Sequence, residues 1–323
     1  MIDEKIVNHI LAELKKDGYD CFASEAQLRD AFAIKLGMSY DCIVIPEYTV
    51  SIPTGWRCYE KKLFFDLLIK DKQNGETILI EFKYKTDSGL FDLFNGTRVL
   101  LSPQSDSTNG RYAIWRDIYR IETFANINHI DKGFIVFITN NKTYFAVPKS
   151  NVSSAQFSIA PGMHPAGNRT WNLPDYTKSS SVEVTYRKDK LPLPYVNDYF
   201  FDYSVYSTIV DTTGKTHTFW QLVLPIYSTA YANKIESELK KMGKDVFLKF
   251  YDEFKKRDSS ICKKVLTAKT KYTANAINTR TSAGIRMFKD GRNIEALRHI
   301  IASSRLNEST RKLAQEKLRK ELV

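Results

Sequence analysis

Two carboxylates and one ammonium interrupt what otherwise reads as the interior of a sheet. TILIEFKYK, residues 77–85, places Glu81 and Lys83 two apart in an apolar strand, and KLFFDLLIK, residues 62–70, carries Asp66 in the run before it. An isolated buried charge is costly unless it is paired or bound to metal, so these three require a compensating partner. Between the runs lies DKQNGE, whose Asn74-Gly75 is the signature of a two-residue type I′ hairpin. That turn sets Gln73 opposite Glu76, Leu68 opposite Glu81 and Asp66 opposite Lys83, with Asp66, Leu68, Glu81 and Lys83 on one side of the sheet. Asp66 and Glu81 are then diagonal neighbours, about 7–8 Å apart at the backbone. Two carboxylates so spaced can converge on one cation. Magnesium takes hard oxygen ligands, typically one or two carboxylates with water and phosphate oxygens. Such an ion lowers the pKa of a bound water and makes a nucleophile for in-line attack on a phosphodiester. Lys83 cannot ligate while charged; its expected work is to orient or help deprotonate that water, or to stabilise charge in the transition state.

The elements that must hold these groups can be read around them. A first helix is expected over Asp3–Lys16, with Ile6, Val7, Ile10, Leu11 and Leu14 on one face. A second begins at SEAQLRDAFAIKL, where Ser24 and Gln27 form a capping box and Glu25 takes the first helical position. CIVIPEYTV, KLFFDLLIK and TILIEFKYK follow as strands. After a polar stretch, Thr86–Gly110, RYAIWRDIYRIETF reads as an amphipathic helix with Ile114, Trp115, Ile118 and Ile121 inward, and GFIVFIT and TYFAV as a strand pair. This order predicts an α/β sandwich on a mixed sheet. Loops and edge strands are expected over 150–195, a hairpin where DYFFDYSVYSTIV and HTFWQLVLPI flank DTTGK, and helices from Asn233 onward.

Asp66, fourteen residues, then Glu81-Phe82-Lys83 on the next strand resembles the active site of the PD-(D/E)XK nuclease superfamily. The order α-β-β-β-α-β over roughly residues 20–147 is similar to that superfamily's restriction-endonuclease-like core. The resemblance implies that Asp66 and Glu81 hold Mg²⁺ (Mn²⁺ as substitute) and that Lys83 is the catalytic lysine. It further implies Glu25 as the helix carboxylate and the Phe82 carbonyl as an additional ligand. Phe65 stands where the motif's name has proline. The implied activity is DNA cleavage, in restriction, defence or mobile-element processing. An RNA-cleaving enzyme of the same fold and a non-catalytic nucleic-acid-binding module are the alternatives.

Each feature also has a plainer reading. A Glu-x-Lys on a strand is often a solvated salt-bridge face, and an acid at a helix start such as Glu25 is favoured by the helix dipole alone. Lys85, Arg111 and Arg116 are candidate phosphate contacts; Lys85 is equally a solvated strand end, and Arg116 with Arg120, four apart, is more often a solvated stripe. The segment Thr86–Gly110 is long for a connector, which suggests closure over substrate or homodimerisation.

Charge divides the chain. Residues 231–323 hold 23 Lys and Arg against 11 Asp and Glu, a net of +12, whereas residues 1–230 carry −1. We therefore expect a nuclease-type domain with an extra hairpin over 1–230 and an all-α, basic nucleic-acid-binding domain over 231–323. Arg311, Lys312, Lys317 and Arg319 in NESTRKLAQEKLRKEL are its candidate DNA contacts. The four cysteines form no CxxC pair, the five histidines show no ligand spacing, and no apolar run is long enough to span a membrane. A cytoplasmic protein with reduced thiols and no membrane partner is the expectation.

Overall fold

The structure, a computed structural model, describes residues 2–52, 62–93, 96, 98–104, 107–152, 154–171, 193–303 and 305–322. The chain divides into two compact units, Met1–Ser228 and Thr229–Val323. In the first, β1 (Cys42–Ser51), β2 (Lys62–Asp71), β3 (Thr77–Lys85), β6 (Lys132–Thr139), β11 (Ser204–Val210) and β12 (Thr216–Tyr227) form a mixed sheet in the order β1-β2-β3-β6-β12-β11. Among the described strands only β3 and β6 run parallel, and the connection between them carries α3 (Ser107–Asn128), the crossover that a parallel pair requires. Strand β6, KGFIVFIT, is buried at every position and forms the centre of the sheet.

Alternation of side chains along β3 assigns its two faces. Ile78, Ile80, Phe82 and Tyr84 pack with Val7, Ile10 and Leu11 of α1 (Glu4–Lys16) and Leu28, Phe32 and Leu36 of α2 (Glu25–Ser39). Leu79 packs on the opposite face with Ile114, Trp115, Ile118 and Ile121 of α3. Glu81 and Lys83, sharing the parity of Leu79, therefore face α3. The α/β class is as expected, with a sheet sandwiched between helices.

Three details differ from the sequence expectation. The hairpin between β2 and β3 has a four-residue loop, Lys72–Gly75, not a two-residue turn: Asp71 N–H donates to Glu76 O (2.9 Å), and Lys70 pairs with Thr77. Side chains chose it, since Asp71 accepts from Gln73 N–H (2.8 Å) and Asn74 from Glu76 N–H (2.9 Å). The register moves by two, which keeps the faces but brings Asp66 level with Glu81 instead of Lys83. TYFAV is not a strand. Asn141 Oδ1 accepts from Thr143 N–H (2.9 Å) and starts a 3-10 turn over Lys142–Phe145, and β6 pairs instead with β12. Finally, the stretch Thr86–Gly110 contains a small hairpin, β4 (Gly89–Asp92) with β5 (Arg98–Leu101), and ends inside α3.

Within 150–195, the described residues hold a 3-10 turn at Ala155–Phe157, β7 (Gly162–His164), β8 (Gly167–Arg169) and β9 (Leu193–Tyr195); residues 172–192 lie outside the described set, as does Cys58. Strand β10 (Tyr199–Phe201) pairs with β7, and β11 with β12 as the expected hairpin. Cys21, Cys42 and Cys262 are free thiols. Among the described residues, no helix is long and apolar enough to cross a membrane. Described residues of the second unit form the helices Thr229–Met242, Lys244–Lys249, Tyr251–Lys255, Ser259–Lys269, Ala274–Lys289, Asn293–Ile301 and Glu308–Leu322.

Candidate active site

The β2–β3 ladder runs from Lys70↔Thr77 only as far as Leu67↔Ile80, and the candidate site lies just beyond its end. Phe65 and Leu67, two apart, pack into opposite clusters, so strict alternation breaks at Asp66, level with Glu47, whose φ is +50°. The break turns Asp66 toward the backbone of β3, where Phe82 N–H donates to its Oδ2 (2.7 Å). One step further, Tyr84 N–H donates to Glu25 Oε2 (2.9 Å). Two carboxylates thus replace the ladder carbonyls that this edge of β3 lacks, as buried donors require.

Glu25 reaches the edge from the first position of α2, whose start is fixed by Ser24 accepting from Gln27 N–H (3.1 Å). Its other oxygen lies 3.5 Å from Lys83 Nζ. Lys83 also donates to the Phe82 carbonyl (2.8 Å) and stands 2.9 Å from Asp117 Oδ2 on α3. Burial alone would lower the Lys83 pKa, but Asp117, Glu81, Glu25 and Asp66 outweigh it and hold the ammonium above its ordinary range. Lys83 is therefore a fixed positive charge.

Glu81 is 3% exposed and faces the same helix. Burial first, and then the charge of Asp117, push its carboxyl well above the usual range against the opposing pull of Arg120 and Lys83. Arg120 Nη2 stands 3.6 Å from Glu81 Oε1, too far for a hydrogen bond, and among the described residues that oxygen has no hydrogen-bond partner. Asp117 behaves oppositely. Although burial opposes it, Lys83, Arg120 and Arg116 draw its pKa below the carboxylate norm, with Arg120 at 3.0 Å and Arg116 at 4.0 Å.

Of the four expected residues, Asp66, Lys83 and Glu25 thus meet at one strand edge beside the Phe82 carbonyl, whereas Glu81, on the same strand, faces Arg120 of α3. Phe82's ring turns the other way, against Phe32 at 5.2 Å. Asp117 was missed. Its signal is its position: Ile114, Asp117, Ile118 and Ile121 make one i, i+3, i+4, i+7 stripe, so this acid lies on the buried face of its helix. Arg120 is buried beside it and stacks over Phe65 at 5.3 Å.

The outer candidates are dispersed. Arg111 is buried and donates to the carbonyls of Thr143 and Ala146, which makes it a brace for the 3-10 turn. Arg116 stays at the rim, with 41% of its side chain exposed, and Lys85 is half-buried at the end of β3. In the second unit, Arg311 caps a helix end, donating to Ile301 O (3.1 Å) and Ser303 O (3.1 Å). Lys317 lies 3.4 Å from Asp252 and over the ring of Tyr251. Lys312 and Arg319 are exposed.

Whether this site suits a hard divalent ion can be judged from its donors. Asp66, Glu81 and the Phe82 carbonyl are all oxygen ligands, and the orphaned Glu81 Oε1 is an atom that such an ion would satisfy. The donor chemistry fits, although among the described residues no three Asp, Glu, His or Cys side chains are grouped as an ion-holding cluster. Comparisons with protein-family models, with curated proteins and with solved structures find no match, so the resemblance to PD-(D/E)XK nucleases stands on the spacing and strand context of Asp66, Glu81 and Lys83.

Proposed function

We propose that the protein is a metal-dependent nuclease that hydrolyses phosphodiester bonds in DNA. The observation that carries this reading is that Asp66, Lys83 and Glu25 meet at the edge of β3 beside Phe82, where the strand leaves its partner, with Glu81 on the same strand facing Arg120. Asp66, Glu81 and that carbonyl would hold Mg²⁺, with Mn²⁺ as a substitute. When bound, such an ion activates water and offsets charge on phosphoryl oxygens. Lys83, kept charged by the acids around it, stabilises the negative charge that builds on the phosphoryl group. Glu81 must give up its proton to act as a ligand, so its raised pKa in the metal-free site sets proton against metal and puts an acid limb on the activity. Glu25 and Asp117 hold the ammonium in place from two sides.

A second reading, a nucleic-acid-binding module without catalysis, is favoured by one observation: Lys83 and Arg120 already lie against the acids. One assay separates the two. Circular and linear DNA, single- and double-stranded, and RNA are incubated with the protein in Mg²⁺ or EDTA. Wild type should cleave DNA only with the metal, and Asp66→Asn, Glu81→Gln and Lys83→Ala should each lose that turnover. Undiminished cleavage in EDTA, or a wild-type rate for Lys83→Ala, would refute the nuclease reading; preference for RNA would reassign the substrate.

A further inference from the structure

The excess charge of the second unit is concentrated in one supersecondary element. From Ser259 to Lys289, 31 residues include seven Lys and Arg and neither Asp nor Glu. They fold as the helices Ser259–Lys269 and Ala274–Lys289, joined by the short turn Thr270–Thr273. The turn is braced. Thr270 Oγ1 donates to Leu266 O (2.7 Å), Thr273 accepts from Ala276 N–H (3.4 Å), and the Arg280 guanidinium stacks on Tyr272 at 4.3 Å. The hairpin is seated by Cys262, Leu266, Ile277, Met287 and Phe288. Gly284 packs so close to Phe254 that a Cβ there would lie 2.5 Å from its ring.

What remains outside is mostly polar, with Ile261 and Tyr272 as its exposed large apolar side chains. Asn275, Asn278, Ser282, Arg286 and Lys289 are exposed at helical spacing along one face of the second helix. Lys263, Lys269 and Lys271 are exposed on the first helix and the turn, and among the described residues none of them meets a carboxylate. Arg286 alone of this set approaches one, Glu238 at 3.6 Å. The terminal helix, Glu308–Leu322, is different. There Arg311 pairs with Glu308 (3.0 Å), Lys317 with Asp252 (3.4 Å), Lys320 with Glu316 (2.7 Å), and Glu321 with Lys255 (2.6 Å). Its basic residues largely answer acids of the same unit.

We propose that residues 259–289 are a helix-turn-helix that binds duplex DNA, with the helix Ala274–Lys289 in the major groove. Asn275 and Asn278 then meet base edges, where asparagine side chains pair with adenine, and Lys263, Lys269 and Lys271 meet phosphates. A helix about 10–12 Å across fits a B-form major groove roughly 12 Å wide. The major groove of A-form RNA is too narrow to admit one. An interfacial membrane helix requires an apolar outer stripe, and this face has none. The proposal rests on the nuclease reading for its substrate class and deepens it by assigning the DNA grip to a surface.

The test uses the full chain in EDTA, so that binding is measured without cleavage, by fluorescence anisotropy on a labelled DNA duplex across a salt series. The variant Lys263→Ala/Lys269→Ala/Lys271→Ala should bind at least tenfold more weakly and flatten the slope of log K against log salt by about 2–3, at roughly 0.9 per phosphate. Asn275→Ala/Asn278→Ala should keep the slope and lose the preference of wild type for particular sequences in a random duplex pool. Lys320→Ala, which removes a lysine already answered by Glu316, should change both little. A folded triple-lysine variant with wild-type affinity and slope overturns the proposal, as does a preference for double-stranded RNA or anionic vesicles over duplex DNA. If duplex binding depends on the hairpin but nothing is cut in Mg²⁺, only the nuclease reading fails. If DNA is cut but hairpin variants bind like wild type, only this proposal fails.

Discussion

Replacing Asp117 with Asn would leave Lys83 and Arg120 buried beside each other without the carboxylate that lies 2.9 and 3.0 Å from them. Removing one partner from a buried ionic cluster costs about 3–5 kcal/mol, because a charge remains unpaired. Asp117→Asn should therefore lower thermal stability sharply, and Asp117→Glu should recover part of the loss. Asp117's depressed pKa contributes stability that is present above the ordinary carboxylate range and lost as pH falls through its native value. The same substitution acts on Glu81 with the opposite sign. Asp117's charge helps raise Glu81's pKa, so removing it should move the acid limb of the pH–rate profile to lower pH. An acid limb that stays in place would show that Asp117 does not set the ionisation of Glu81.

Among the elements, β7 carries a second buried titratable group. His164 Nε2 donates to Ala160 O (2.8 Å), the ring packs against Phe201 at 4.5 Å, and burial lowers its pKa to about 4. The unfolded chain binds this proton near the ordinary histidine value, about 6.5. Stability from a neutral His164 is thus fully present above about pH 6.5 and lost progressively toward pH 4, by about 3 kcal/mol in all. His164→Gln should remove most of that slope between pH 6.5 and 4 in urea denaturation; an unchanged slope would put the acid sensitivity elsewhere. Other elements show what a sequence can reveal about position. The start of α2 was legible because Ser24 and Gln27 satisfy local donors, and the facing of Glu81 and Lys83 because parity is a local property. The register of β2 on β3 was not, since Asp71 and Asn74 build a loop that the Asn-Gly pair alone does not disclose. Nor was the turning of Asp66 onto Phe82 N–H, which depends on a break in alternation beside Glu47. Asp117 escaped notice because a buried acid in a helix is meaningful only once its partners across the sheet are known.

At the scale of the whole chain, the division near residue 230 was visible as a change from strands to helices and as a jump in charge. Which basic residues carry that charge outward was not visible, because composition cannot separate Lys320, answered by Glu316, from Lys271. The order in which the main sheet is completed has a consequence for synthesis. Strand β6, apolar throughout and central in the sheet, is flanked on one side by β12, which is the last strand of its unit to be made. Until residues 216–227 emerge from the ribosome, β6 presents an open row of backbone donors and acceptors on an apolar strand, a template for pairing with other chains. Fragment 1–228 should fold and stay soluble, whereas fragment 1–215 should aggregate as it is expressed. Light scattering and a soluble-fraction assay on the two would decide it, and a soluble, folded 1–215 would show that β6 is protected without β12. A message broken or a ribosome stalled within that interval would release a chain with most of its core and no cover for its central strand.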